Sequence, residues 1–272
     1  MAELTVRRLL IDLEAPFARR WNGGDAFRTA WFNALSMSFP VGEQFFIDAV
    51  RAGLKALPAA ERERFGAEVQ GFIGQEATHR RIRTLFNGQL EAQGHVNTWA
   101  PRSLVRIRRL DGLDPRHAVA VTAATEHITA IFADWMLRHP EALAGAEPRL
   151  QTMWMWHAAE ESEHRSTAFD VYLAMGGNHL WRTRFMRIVT GHFLADVLRQ
   201  TLRNLRHDGA LWQWRTWTSG ARFLLGRDGL LRQVFRPWRA YFAPDFHPRH
   251  QDAGLAEHWL REHAAQFAVV ER

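Results

Sequence analysis

The chain of 272 residues contains no cysteine, and this absence removes several kinds of chemistry. Disulfide frameworks, thiolate metal sites, iron–sulfur clusters and cysteine nucleophiles all need a thiol. A metal ion bound by this chain must therefore be held by histidine, aspartate, glutamate, backbone or water.

The sequence also lacks long apolar runs and a recognisable leader. No stretch reaches the roughly 18 uninterrupted apolar residues that indicate a membrane-spanning helix. The first residues do not combine a basic segment, an apolar run and a cleavage site, as a signal peptide does. We therefore expect a cytoplasmic protein, and a content of 47% hydrophobic and 24% charged residues is that of an ordinary globular chain.

Proline and glycine are sparse over the first 180 residues, and apolar residues recur at spacings of three and four, which indicates helices. We see no alternating strand pattern bounded by hairpin turns. Four long helices are predicted at about 25–57, 58–92, 114–139 and 148–175. Asp25 and Asp114 are suitable N-caps, and Pro40 is expected to kink the first helix or to mark its start. Shorter helices are predicted near 180–206, 209–225, 229–241 and 256–268.

The fourth predicted helix contains His157, Glu161 and His164, at spacings of four and three residues. At about 100° per residue these side chains share one stripe of the helix. The stripe is otherwise apolar, so the three polar groups point toward the core. In the run 160–163, Glu161 has the three-residue spacing to His164, and Glu160 ranks second. Glu163 is expected to face solvent or an arginine.

The other three long helices supply matching carboxylates. Glu76 and His79 are again three residues apart on the second helix, while Glu43 lies on the first and Glu126 on the third. The order is therefore Glu, Glu-x-x-His, Glu, Glu-x-x-His, with one element on each helix. This is the ligand scheme of di-iron and di-manganese bundles of the ferritin-like class. His127 points away from this stripe and is predicted to be structural.

Four buried carboxylates need compensation, because an unpaired one costs several kcal/mol. Two divalent cations would neutralise them, and imidazoles would fill further positions. We therefore predict an all-α, ferritin-like four-helix bundle that binds two metal ions, iron first and manganese or zinc as alternatives. A single-metal site or an ion-pair network is the competing interpretation. One domain is expected over residues 1–272, with the bundle at about 25–176 and accessory helices at about 179–272.

The segments Gly42-Glu-Gln-Phe-Phe46 and Tyr241-Phe-Ala-Pro-Asp-Phe-His-Pro248 mark the ends of a wider similarity. Between them the sequence resembles the family of predicted metal-dependent hydrolases related to ferritin-like proteins. The metal motifs are also similar to those of the di-iron arylamine N-oxygenases, in which a third histidine lies four residues before the last Glu-x-x-His. The ligands that this resemblance implies are Glu43, Glu76, His79, Glu126, His157, Glu161 and His164.

The predicted function is that of an oxidase or oxygenase that uses O2 on a small or lipid-like substrate. A dinuclear hydrolase, in which the ions activate water, is the first alternative. A metal-binding protein without enzymatic activity is the second.

The region from Trp181 to Tyr241 is rich in arginine and tryptophan, within a chain of net charge +6. Its apolar faces are expected to cover the bundle while the arginines face water. Peripheral contact with a membrane is the alternative, because tryptophan and arginine suit the headgroup region. No nucleic-acid motif accompanies the charge, so no nucleic acid is expected as a partner. A homodimer is left open.

Overall fold

A computed structural model describes residues 4–270 and confirms the all-α class. The part of the chain up to residue 174 forms α1 (Ala26–Ala56), α2 (Ala59–Ala92), α3 (Trp99–Ile107), α4 (Pro115–Arg138), α5 (Pro148–His164) and α6 (Thr167–Ala174). The predicted caps are present, since Asp25 accepts from the backbone N–H of Arg28 and Asp114 from that of Arg116, each at 2.9 Å. Three of the four long helices thus lie within a few residues of their predicted bounds.

The packing of the long helices fits a ferritin-like bundle. Helix α1 packs along α2 and against α4, and α4 packs against α5 and α6. Helices α5 and α6 together take the place of the single predicted fourth helix, which is interrupted at Arg165 and Ser166. The hydroxyl of Thr167 at the start of α6 donates to Glu68 of α2 at 3.0 Å. This hydrogen bond holds α6 against α2 next to the interruption.

Pro40 lies inside α1, and the helix continues through it. Proline lacks the N–H that would bond to the carbonyl four residues earlier. The side chain of Asn87 supplies the missing donor, since its Nδ2 donates to the carbonyl of Ser36 at 2.9 Å. The neighbouring carbonyl of Met37 accepts from Asn97 at 2.6 Å. Because other elements supply these donors, α1 does not have to end before it reaches Glu43.

The rest of the described chain forms four further helices that pack on the bundle: α7 (His179–His207), α8 (Trp214–Leu225), α9 (Leu230–Ala240) and α10 (Gly254–Glu262). Helix α7 contacts α1 and α4, while α8 contacts α1, α9 contacts α4 and α10 contacts α5. Within residues 4–270 no helix is both long enough and apolar enough to cross a bilayer.

Two features of the fold were not predicted. A short antiparallel sheet pairs β1 (Arg7–Leu9) with β2 (Phe267–Val269), although no strand was expected. Strand β2 also overlaps the end of the predicted last helix, which ends at Glu262 instead. Three residues are too few to show an alternating pattern, and the strand that pairs with them lies at the other end of the chain. Helix α3 was likewise absent from the predicted set.

Candidate metal centre

The seven predicted ligands lie together in the middle of the bundle. Each is buried, with at most 4% of its surface exposed. Helix α1 supplies one of them, α2 two, α4 one and α5 three: Glu43; Glu76 and His79; Glu126; and His157, Glu161 and His164. The structure thus brings the whole predicted set to one region, and the assignment of these residues as ligands stays a prediction.

Six of these residues form two groups that share one histidine. The first group is Glu76, His79, Glu161 and His164, and the second is Glu43, His79 and His157. In each group, one potential ligand atom from every residue lies within 4.8 Å of the others. Glu126 stands outside both groups but adjoins the first, because Nδ1 of His164 donates to its Oε2 at 2.9 Å. Such groups of buried histidine and glutamate could hold two metal ions.

Two carboxylates lie between the two imidazoles of the Glu-x-x-His motifs. Oε1 of Glu76 is 3.3 Å from Nε2 of His164 and 3.8 Å from Nδ1 of His79. Oε1 of Glu161 is 3.9 Å and 3.6 Å from the same two nitrogens. It is also 3.1 Å from Nε2 of His157. A carboxylate in this position can serve an ion on either side.

Many polar atoms of the cluster have no hydrogen-bond partner among the described residues. They include both carboxylate oxygens of Glu43 and of Glu76, Nδ1 of His79 and Nε2 of His164. Buried polar groups are nearly always paired, and leaving them unpaired costs free energy. Divalent cations would bind these oxygen and nitrogen atoms together, and mixed carboxylate and imidazole ligands suit iron, manganese or zinc. The residues present therefore fit a pair of such ions.

Burial also changes the acidity of the carboxyl groups. It raises the pKa of Glu43 and of Glu126 well above the usual range, and it raises that of Glu76 to about 7. The like charges of neighbouring glutamates add to the shift. Without cations these groups therefore hold protons more tightly than exposed carboxyls do. Bound cations would reverse this preference, because they stabilise the charged form.

Glu160 has a different role from Glu161. Its Oε2 accepts from Nε2 of His79 at 2.9 Å, and its Oε1 accepts from Nη1 of Arg7 at 3.1 Å. A carboxylate in this position fixes the orientation of the imidazole and leaves Nδ1 of His79 free for a metal. The spacing analysis ranked Glu160 second as a ligand, and it gave no sign of this bond to His79.

Arg7 is a part of the site that the sequence did not indicate. It belongs to β1, and it binds Glu163 as well as Glu160, with Nη1 and Nη2 donating to the Glu163 carboxylate at 2.6 and 3.0 Å. Glu163 also accepts from Gln75 at 2.8 Å. The expectation that Glu163 faces solvent or an arginine agrees with this contact. No motif around Arg7 distinguishes it from the other arginines near the N-terminus.

His127 lies away from the cluster, as the sequence predicted. Its Nε2 donates to the carbonyl of Pro237 in α9 at 3.1 Å, and its ring packs against Tyr241 with centroids 4.9 Å apart. Burial lowers its pKa to about 4, so the ring is neutral at physiological pH. Through these two contacts, His127 connects α4 to α9 and to the residue that follows it.

A cavity of about 340 Å³ adjoins the cluster. Its walls come from α1, α4 and α5 on one side and from α7 and α9 on the other, and they are almost wholly apolar. His157 and Glu161 form part of the wall, so the cavity reaches the second group and the shared carboxylate. Leu194 and Phe235 also line the cavity and are 45% and 54% exposed, which places its mouth between α7 and α9.

Comparison with known proteins gives one match. A family model described as "Predicted metal-dependent hydrolase" matches residues 5–252. This range includes all seven residues of the cluster and the helices that line the cavity. No curated protein and no solved structure matches the chain.

Proposed function

The chain belongs to the family of predicted metal-dependent hydrolases, and for this member we propose a di-iron enzyme that uses O2 to oxidise an apolar substrate. The observation that carries the proposal is the apolar cavity that reaches His157 and Glu161. Its volume falls in the range of pockets for small molecules. A small or lipid-like molecule held there would lie directly beside the metal cluster.

The character of the cavity wall favours oxidation over hydrolysis. A hydrolase must admit water and must hold a polar scissile group with donors close to the reacting atoms. Apart from His157 and Glu161, the polar side-chain groups in the wall are the hydroxyls of Thr129 and Thr190 and the indole N–H groups of Trp31, Trp154 and Trp238. A wall that is largely apolar excludes water and packs against the hydrocarbon part of a substrate.

The residues of the cluster have separate tasks in this proposal. The two ions would be held by Glu43, Glu76, His79, Glu126, His157, Glu161 and His164. When bound, the metal pair supplies the activation of O2. The chain orients the ligands and keeps water away: Phe39 stacks on His157 at 4.9 Å, and Trp156 meets His79 edge-on at 5.1 Å.

Two alternatives remain beside this proposal. The family description favours a metal-dependent hydrolase, in which the same ions would activate water on an apolar ester. A protein that only binds metal would not need the cavity, since its ions require no access for a second molecule. Both alternatives differ from oxidation in their response to O2.

The proposal is tested by measuring metal content and the response to O2. We expect about two iron ions per chain after reconstitution, the number that the ligand scheme holds, and a change in the near-ultraviolet and visible spectrum when the reduced protein meets O2. Protein reconstituted with zinc is the control and should give no change. Two bound ions without any response to O2, together with cleavage of a chromogenic ester of a fatty acid, would overturn oxidation in favour of hydrolysis.

We further propose that the surface around the cavity mouth contacts an anionic membrane. Residues 211–240 contain six arginines and one acidic residue, a net charge of +5 in a chain whose total is +6. The same stretch exposes Trp212 and Trp214, at 92% and 69%, together with Phe235. Arginine and tryptophan side by side suit the headgroup region of a bilayer. Helix α9 joins this surface to the cavity, because its Val234 and Trp238 line the interior.

Binding to lipid vesicles tests this contact. We expect the protein to sediment with vesicles that contain phosphatidylglycerol, to bind phosphatidylcholine vesicles weakly, and to be released by salt. The double variant W212A/W214A should bind about tenfold more weakly, because each indole contributes buried apolar area at the interface. Neither residue lines the cavity, so metal content should not change.

The matched control for vesicle binding is L10A/L113A, which removes two side chains that are 52% and 53% exposed and lie outside residues 211–240. Equal losses in both double variants would contradict a specific contact face. Stronger binding of the wild-type protein to single-stranded RNA than to anionic vesicles would assign the arginines to nucleic acid instead.

A further inference from the structure

Arg83 is a fully buried cation for which the metal cluster provides no bonding partner. It lies on α2, one turn after His79, and none of its surface is exposed. Its Nε, Nη1 and Nη2 have no hydrogen-bond partner among residues 4–270. An unpaired charge in a protein interior is destabilising unless something compensates for it. The charges of Glu43 and Glu161 favour the charged guanidinium, but its three nitrogens still need hydrogen-bond acceptors.

The guanidinium lies against the two aromatic rings at the metal end of the cavity. Its central carbon is 3.7 Å from the ring centroid of Trp154 and 4.8 Å from that of Phe39, which gives cation–π contacts. Both rings are part of the cavity wall. Burial lowers the pKa of Arg83 to about 9, so that the group stays charged at neutral pH.

Apart from the predicted metal ligands, the unpartnered groups discussed here around this end of the cavity are donors. Besides the three nitrogens of Arg83, the indole N–H groups of Trp31 and Trp154 have no partner among the described residues, and both tryptophans line the cavity. Guanidinium and indole groups donate hydrogen bonds and cannot accept them. A ligand that satisfies them must therefore present acceptors, and it must be anionic to compensate for the charge.

The charges of the cluster lead to the same requirement. Two divalent cations would engage the four ligand carboxylates and cancel their charge. Glu160 and Glu163 cannot serve it, because both are bound to Arg7. None of these six carboxylates would then be available as a hydrogen-bond acceptor for Arg83.

We infer that Arg83 binds the carboxylate of the substrate, and that the substrate is an aliphatic carboxylic acid whose chain fills the apolar cavity. The statement that this acid is the substrate rests on the proposed function. Binding of the acid can be measured whether or not the protein oxidises it. A carboxylate and a guanidinium match each other in a forked, two-bond geometry. The carboxylate end of the molecule, and not its methyl end, then lies at the metal centre.

Binding also requires a small local movement. Arg83 is not itself part of the cavity wall, so the ring of Phe39 or Trp154 must turn for the carboxylate to reach it. The neighbouring cavity offers the space for such a rotation. The surface rich in arginine at the mouth would attract the same anions before they enter.

The inference is tested by calorimetry on the metal-loaded protein with decanoate and 1-decanol, which share a chain and differ in the head group. We expect the wild-type protein to bind decanoate more tightly than 1-decanol. In R83M the affinity for decanoate should fall at least about tenfold, because hydrogen bonds to a charged group are lost, while the affinity for 1-decanol should stay within about twofold. R83K, which keeps the charge and loses the fork, should lie between the two.

The control is R81M, a substitution of the same kind at an exposed position of α2, and it should bind both ligands like the wild type. The metal content of every variant is measured alongside. Metal-loaded R83M that keeps the wild-type preference for decanoate over 1-decanol would overturn the inference, since Arg83 would then not bind the carboxylate. So would equal losses for decanoate and 1-decanol.

This experiment separates the inference from the proposed oxidation. A protein that shows no response to O2 but binds decanoate through Arg83 refutes the oxidation and leaves the carboxylate site standing. A protein that reacts with O2 and does not distinguish decanoate from 1-decanol refutes the carboxylate site alone.

Discussion

Replacement of Glu161 by alanine is expected to remove nearly all bound metal from the purified protein. Glu161 lies between His79 and His164, and its Oε1 is also 3.1 Å from Nε2 of His157. No other carboxylate of the cluster contacts all three histidines among the residues described. Its loss therefore removes a ligand position that both groups of the cluster adjoin. Elemental analysis after dialysis against a weak chelator measures the effect.

Two neighbouring glutamates provide graded controls for this result. Glu163→Ala should leave the metal content unchanged, because Glu163 contacts Arg7 and Gln75 and none of the seven predicted ligands. Glu160→Ala should weaken metal binding roughly 10–100-fold, the usual effect of removing a group that orients a ligand histidine. A protein that loses its metal in Glu163→Ala but keeps it in Glu161→Ala would show that the register on α5 is wrong.

The metal cluster could be predicted from the sequence because helical periodicity is local. Spacings of three and four residues place His157, Glu161 and His164 on one face whatever the rest of the chain does. The apolar neighbours of Glu43 and Glu126 likewise indicate inward-facing positions on their helices. For these residues no knowledge of tertiary contacts is needed beyond the assumption that four helices pack around one core.

The surroundings of the cluster could not be predicted in the same way. Glu160 lies about 100° around the helix from Glu161, and spacing alone ranks it second as a ligand. It is buried because β1 brings Arg7 to it, and β1 is held by pairing with β2 at the other end of the chain. The cavity depends in the same manner on α7 and α9, which lie far from α1 in sequence. Contacts between residues so far apart in the chain produce no periodic pattern in the sequence.

The effect of Pro40 on α1 also could not be predicted from the sequence of that helix alone. The sequence rule correctly states that proline removes one hydrogen bond from α1. Whether the helix then ends depends on another donor, and here Asn87 of α2 supplies it at 2.9 Å. The predicted kink or start took only α1 into account. The helix continues through Pro40 because a side chain of α2 donates the hydrogen bond.

The second large effect expected concerns Glu43, whose replacement by methionine should change stability in opposite directions with and without metal. Both carboxylate oxygens of Glu43 are buried without a partner among residues 4–270. Methionine has a similar length and fills such space without polar atoms. In the metal-free protein, Glu43→Met should therefore raise the free energy of unfolding by about 1–3 kcal/mol, as replacement of buried ionisable groups by apolar ones often does.

The favourable interaction between Glu43 and Arg83 opposes this gain only in part. Burial, followed by the charge of Glu76, raises the pKa of Glu43 well above the usual range. A carboxyl whose pKa is raised holds its proton more tightly, so its removal takes less negative charge away from Arg83 than the removal of an ordinary carboxylate would. With metal the situation differs, since the cation favours the charged carboxylate and uses it as a ligand.

Urea unfolding of the wild type and of Glu43→Met, each with EDTA and with Mn²⁺, measures the change in the free energy of unfolding in both states. Saturating Mn²⁺ should stabilise the wild type by about 4 kcal/mol when it is present at a thousand times its dissociation constant, and it should stabilise the variant far less. Glu63→Met, at an exposed position of α2, should change stability by no more than about 0.5 kcal/mol in either condition. If Glu43→Met destabilises the metal-free protein instead, the carboxylate must have a hydrogen-bond partner of its own. Its oxygens would then not be evidence for a bound metal. A gain that is equally large with Mn²⁺ present would mean that Glu43 is buried without serving as a ligand.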